Sequence, residues 1–211
     1  MTRIEGPAPP TAGAATAAAA GVTALAAVAL SLPPMRALIE QSMVWHMLVQ
    51  MPLLVLAGWF AAAAWAPSRG LRWNRFGLSG LMLAQCILAY WMIPALVDRA
   101  VVLPWVDAAK LATLWLAGLA LRVGYRQAPP LVQLFFIGYG LPMMAWLGFY
   151  LASTDLRLCN AYSLESQARA GWGLLGLASL LGLAWAIDLR HGHARRDGIS
   201  KLDQTLYGVP R

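Results

Sequence analysis

Apolar runs of about twenty residues recur along the whole chain, separated by short polar stretches. Six can be read: Ala14 to Leu32, rich in alanine and closed by Pro33-Pro34; Ser42 to Ala66; Phe76 to Val97; Trp105 to Val123; Pro130 to Ala152; and Ala170 to Ile187. At about 1.5 Å per helical residue, roughly 20 residues cross a hydrocarbon core about 30 Å thick. Membrane strands would instead be segments of about ten alternating residues, and these runs do not alternate. The pattern therefore predicts an all-α polytopic membrane bundle of about six transmembrane helices. A Pro-, Ala- and Gly-rich segment, 1–13, precedes it and is expected to be disordered. The bundle itself is expected over 14–188, with a basic cytoplasmic tail over 189–211.

Composition supports this reading. Of 211 residues, 60% are apolar and 12% charged, which excludes an ordinary soluble domain, at about 25% charged. Two cysteines, Cys86 and Cys159, cannot build a disulfide framework. The net charge of +7 is distributed as membrane topology requires, so no nucleic-acid partner is implied. Arg69, Arg72 and Arg75 follow the second run, and Arg122 and Arg126 follow the fourth, with no acid beside either group. The tail carries Arg190, Arg195, Arg196, Lys201 and Arg211 against Asp188, Asp197 and Asp203. The other connections are balanced: Arg36 with Glu40; Arg99 and Lys110 with Asp98 and Asp107; Arg157 and Arg169 with Asp155 and Glu165. The positive-inside rule puts the unbalanced connections and both termini in the cytoplasm, in a bacterial inner membrane. The first run, with Arg3 before it and small residues at Ala27-Val28-Ala29, also has the features of a signal peptide. Its removal would leave the later connections on the same sides.

Topology turns the soft side chains into a pattern. Met35, Met43, Met47 and Met51 fall before or within the outer half of the second helix, Met92 in the outer half of the third, and Met143 and Met144 in the middle to outer half of the fifth. Met82 alone falls inside. His46 is the single His in an apolar run, and Cys159 is in the last outer loop. At about 100° per residue, Met43, His46, Met47 and Gln50 share one face, with Met51 at its edge. Thioether and imidazole donors on an outward face suit Cu(I). The same spacing also suits a packed helix face, for which Met is a good filler. Asp98, beyond a kink expected at Pro94, is a candidate to orient the His46 ring, and Gln50 a second one. Asp98 would alternatively pair with Arg99 or Lys110. The outer stretch Leu156 to Gln167 is too rich in specific polar types to be a spacer. Cys159 reads as a free outer thiol and Cys86 as a small buried hydrophobe. Pro142, Gly138, Gly140 and Gly148 predict a bent, closely packed fifth helix. Gly173, Gly176, Ser179 and Gly182 give the sixth a small-residue face. His191 and His193 read as part of a solvated tail.

No nucleotide-binding, zinc-protease or serine-hydrolase motif occurs, and no chain of buried carboxylates crosses the membrane. The chain is not expected to be an enzyme.

Two stretches resemble the CtaG-type cytochrome c oxidase assembly membrane proteins. His46-Met47-Leu48-Val49-Gln50-Met51-Pro52-Leu53-Leu54-Val55-Leu56 looks like that family's His-Met-Leu helix and the Pro-Leu-Leu run after it. Asn160-Ala161-Tyr162 through Gln167, before the Gly-rich last segment, looks like its outer loop, in which a Tyr and an acid-Gln pair precede the final span. The chain departs from the family in its short length and in carrying Gln50 where a second metal-facing His would suit. The resemblance implies a membrane metallochaperone that supplies copper to, or helps assemble, a respiratory haem-copper oxidase. His46, Met43, Met47 and Met51 would then be Cu(I) ligands, with Met92, Met143, Met144 and Cys159 as further candidates. Partners would be the bilayer and an oxidase subunit. The alternative is a metal-free accessory subunit of another membrane complex.

Overall fold

The computed structural model describes residues 12–32, 34–35, 39, 41–65, 74 and 76–207. Of residues 12–14, 16, 30–31, 64–65 and 191–207 it describes the backbone alone. The expectations for segment 1–11, for Pro33, Arg36 and Glu40, and for Arg69, Arg72 and Arg75 lie outside the described residues, as do those for the side chains of His191, His193, Arg195, Arg196, Asp197, Lys201 and Asp203 and for Arg211. Every regular element among the described residues is a helix. Helix α1 is Ala12–Ser31. Helix α2 runs through 43–65 in three pieces: a turn at Met43–Trp45, a π-helical segment at His46–Gln50, and Met51–Trp65. Then come α3 (Leu78–Trp91), α4 (Pro94–Val102), α5 (Pro104–Gln127), α6 (Pro130–Ser153) and α7 (Leu164–Tyr207).

Three stretches are long and apolar enough to cross a membrane: Met43–Ala63, Pro130–Ser153 and Leu164–Arg190. A fourth follows if α3 and α4, bent by 74° at their junction, count as one span. These helices make the chain a helical membrane protein. Their outward faces are apolar, with Leu131, Phe135 and Trp146 on α6 and Trp172 and Leu180 on α7 each more than 60% exposed. Such an array is suited to lipid.

Against the six runs of the sequence, three differences stand out. The third run, Phe76 to Val97, is broken rather than kinked. Pro94 opens a new helix, because a proline lacks the N–H that would continue α3 and suits the first turn of a helix. The fourth run, Trp105 to Val123, lies in a 24-residue helix with Asp107, Lys110 and Arg122 inside the run and Arg126 just beyond it, which lowers its hydropathy. Arg122 thus stands inside α5, its guanidinium 4.9 Å over the Trp59 ring. At the other end, the backbone of α7 stays helical to Tyr207, well into the segment 189–211 read as a tail.

The packing that sets up the interior is between α2 and α5, which run parallel. A Cβ on Gly58 would lie 1.9 Å from the Trp115 carbonyl oxygen, and one on Gly118 2.0 Å from that of Val55. Only glycine on both sides permits this approach. It brings the preceding turns of the two helices, with His46 and Gln50 on one and Lys110 on the other, within hydrogen-bonding reach. Helix α3 leans on α5 through Gly77, whose φ of +72° needs glycine and whose Cβ would meet Gly124. Helices α6 and α7 form a close hairpin at Gly148 and Gly171. Gly138 and Gly176, by contrast, have open space where a Cβ would be.

Gly118→Ala should therefore destabilise the fold by about 1–3 kcal/mol, the usual effect of overpacking. Gly138→Ala should stabilise it by several tenths of a kcal/mol through helix propensity. Thermal unfolding in one detergent, read by far-UV circular dichroism, checks both signs.

Candidate functional site

The π-helical segment opens α2 where the sequence is least ordinary. A π turn bonds i to i+5 and often marks a functional position. Here the Met51 N–H reaches the His46 carbonyl. All of Met43, His46, Met47, Gln50 and Met51 are buried, while Trp45 points outward. The face expected from helical spacing is thus turned inward along its whole length.

His46 is fully buried, and both ring nitrogens have partners. Nδ1 is 2.6 Å from the Tyr162 hydroxyl, whose ring meets the imidazole edge-on. Nε2 is 2.8 Å from Lys110 Nζ. Lys110 is itself fully buried; its ammonium lies 2.7 Å from Asp107 Oδ1 and 3.4 Å from Gln50 Oε1. One proton arrangement uses every group: the ammonium donates to Nε2, which leaves the Nδ1–H to donate to the Tyr162 oxygen. His46 is then neutral, and Asp107 balances Lys110.

Tyr162 comes from the α6–α7 loop, and that loop is a folded cap. The Gln167 side chain, buried, accepts from Leu158 N and donates to Leu156 O. The Arg157 guanidinium donates to the Asn160 and Tyr162 carbonyls. Asp98 of α4 accepts from the amides of Asn160 at 2.6 Å and Ala161 at 3.3 Å. The Ser166 hydroxyl accepts from Met43 N at 2.9 Å, tying the last helix to the start of α2.

The candidates from the sequence sort by this geometry. Met43, Met47, Met51, Met144, Cys159 and Tyr162 share one buried cluster, with Met92 packed against it. Met143 lies elsewhere, its sulfur 4.0 Å from Gln85 Nε2. Asp98 serves the loop amides in place of the imidazole, whose nitrogens face Tyr162 and Lys110. Its proposed ion-pair partner Lys110 is with Asp107 instead. Gln50 does flank His46, through the shared ammonium. Cys159 is a free thiol, but a buried one, donating to the Pro94 carbonyl at 3.7 Å. Burial, and then the Asp98 carboxylate beside it, push that thiol up to about 12, so it stays protonated and is a poor thiolate donor. Cys86, read as buried, is exposed on α3. Among the described residues no three His, Cys, Asp or Glu side chains are gathered for a metal ion.

Lys110 and Asp107 are the residues the sequence reading set in the wrong place, among outer-loop charges. Their signal was position: Lys110 falls five residues into the run that begins at Trp105, and a charge inside such a run is a site candidate. Tyr162 was legible only as part of an unusually specific loop.

Comparison with family models, with curated proteins and with solved structures finds no match for this chain.

Two outcomes follow. Lys110→Met should cost about 3–5 kcal/mol, because it removes the cation of a buried ion pair and leaves its carboxylate behind. The double variant Asp107→Asn/Lys110→Met should recover much of that loss. A double-mutant cycle on unfolding free energies measures the coupling. Separately, the folded protein should resist alkylation at Cys159 through pH 10, while the unfolded chain reacts freely from about pH 9. Because the folded pKa is raised, Cys159's contribution to stability is complete below the unfolded value and is lost as pH rises towards about 12.

Proposed function

We propose that this chain is a multi-pass inner-membrane protein of the CtaG-like kind, with six spans and both termini cytoplasmic, that handles Cu(I) as cargo during haem-copper oxidase assembly. The observation that carries this reading is the burial of Met43, His46, Met47 and Met51 on one face of α2, the three methionines in a cluster that also includes Met144. Buried thioethers on the same helix face as an imidazole suit Cu(I). The parallel run of α2 and α5, with the bent α3–α4 pair between them in sequence, supports the alternating topology.

The site as it stands is closed to a metal, because His46 has a partner on each nitrogen. Cargo enters at Nε2 once the Lys110 ammonium swings away onto Asp107 and Gln50, which already contact it. The thioethers then complete a neutral ligand set. Asp98 and Gln167 act by holding the loop that carries Tyr162.

A second reading, a metal-free accessory subunit, is favoured by one specific observation: His46 is already fully hydrogen-bonded. In that case the Tyr162–His46–Lys110–Asp107 chain is polar glue between α2, α5 and the loop.

Copper per chain in detergent under reducing conditions separates the two. Stoichiometric Cu(I) in the wild type, lost in His46→Ala and in Met43→Ala/Met47→Ala, is the expected result. A folded wild type that takes up no copper at saturating Cu(I) would overturn it in favour of the accessory subunit.

A further inference from the structure

A cleft of about 450 Å³ opens on the side of the bundle between α3, α4 and α5. That is within the ~300–1,000 Å³ of small-molecule sites. Its wall is apolar: Ile87 from α3, Leu96 from α4, and Val106 and Ala109 from α5. Two polar groups on that wall are bonded to each other. Trp91 Nε1 donates to the Thr113 hydroxyl at 2.8 Å, and that hydroxyl donates back to the Ala109 carbonyl. Tyr90 and Trp105, both more than half exposed, also line it, the kind of residues found at headgroup depth.

One formal charge lines this cleft, the guanidinium of Arg99. Asp98, its neighbour in sequence, turns to the α6–α7 loop and takes the amides of Asn160 and Ala161. Among the described residues no carboxylate forms an ion pair with Arg99; the pairs there are Lys110 with Asp107 and Arg169 with Glu165. Helix α4, bent 74° from α3, thus divides its charges, sending the acid to the loop and the base to the cleft. An apolar trough whose lining includes one guanidinium without a carboxylate partner is complementary to an amphiphile with an anionic head.

We propose that this cleft is a binding site for one anionic phospholipid of the surrounding bilayer, its acyl chain lying against Ile87 and Val106 and its phosphate on Arg99. Planar, bidentate recognition of phosphate is what a guanidinium does best. The site is separate from His46 and does not depend on how that centre functions.

The test uses the full-length protein, delipidated in a mild detergent and titrated with phosphatidylglycerol or phosphatidylcholine of identical acyl chains, with binding read by native mass spectrometry. Phosphatidylglycerol should be retained at least about tenfold more strongly, a difference of about 1.4 kcal/mol. Arg99→Gln should erase that preference, and Arg99→Lys should keep part of it. Ala109→Phe, which fills the trough, should reduce retention of both lipids; a circular-dichroism melt confirms that each variant is folded. Equal retention of the two lipids by the wild type would overturn the proposal. So would a preference that survives Arg99→Gln, as would a co-purified neutral amphiphile that occupies the cleft and is unaffected by that substitution.

Discussion

An ammonium group with no exposure to solvent, inside an apolar bundle, sets the terms for everything around it. Even after relaxation, burying an ion costs several kcal/mol unless partners replace its water. Lys110 has Asp107 one turn back on its own helix, and His46 and Gln50 on the next. Each partner is buried too and depends on the others: Asp107 needs the cation, and the imidazole needs a donor for Nε2 and an acceptor for its remaining proton. That acceptor is Tyr162, and Tyr162 is held in place by a loop whose amides Asp98 and Gln167 satisfy. The sequence of requirements runs from a charge on α5 to a carboxylate on α4 and a glutamine on α7. It explains why a connection of ten residues, 154–163, is so specifically bonded.

The same requirement reaches back into packing. Lys110 cannot meet both His46 and Gln50 unless α2 and α5 lie almost in backbone contact, and Gly58 and Gly118 permit that. The π turn at His46–Gln50 contributes as well. It lets Met43, His46, Met47, Gln50 and Met51 all face inward, though Met51 stands at the edge of that stripe in an ideal α-helix. Backbone irregularity in α2 and glycines in α2 and α5 are thus one device, positioning a polar centre in an interior that would otherwise exclude it.

Much of this was legible in the residues. Helical spans follow from the length of the apolar runs, and the buried face of α2 follows from spacing alone. What resisted was of two kinds. Pro94 was visible as a disturbance, but whether a proline kinks a helix or begins a new one depends on what receives the freed backbone groups. Here the Tyr90 carbonyl, which an N–H at position 94 would have met, accepts from Ile93 N instead, and the Ile93 carbonyl accepts from the Leu96 and Val97 amides that open α4. Asp107 and Lys110 resisted for a different reason. Three residues apart beside Trp105, they look like an interfacial pair satisfied in the headgroup region. Nothing local says that α2 supplies a further acceptor 60 residues away.

Lys110 is also where the two readings of the centre part. With Asp107 ionised and His46 neutral, the site already balances in charge. A cuprous ion on the imidazole would add a second positive charge beside the ammonium. Two unit charges about 4 Å apart repel by about 4 kcal/mol at an effective dielectric near 20, more than most single hydrogen bonds contribute. Imidazole and thioether ligands bring no charge to offset this, and a thiol held protonated at Cys159 brings none either. Copper and the Lys110–His46 hydrogen bond are therefore mutually exclusive. A protein that handles copper here must move its lysine to do so, and one that never moves it is using a histidine and a lysine to hold two helices together.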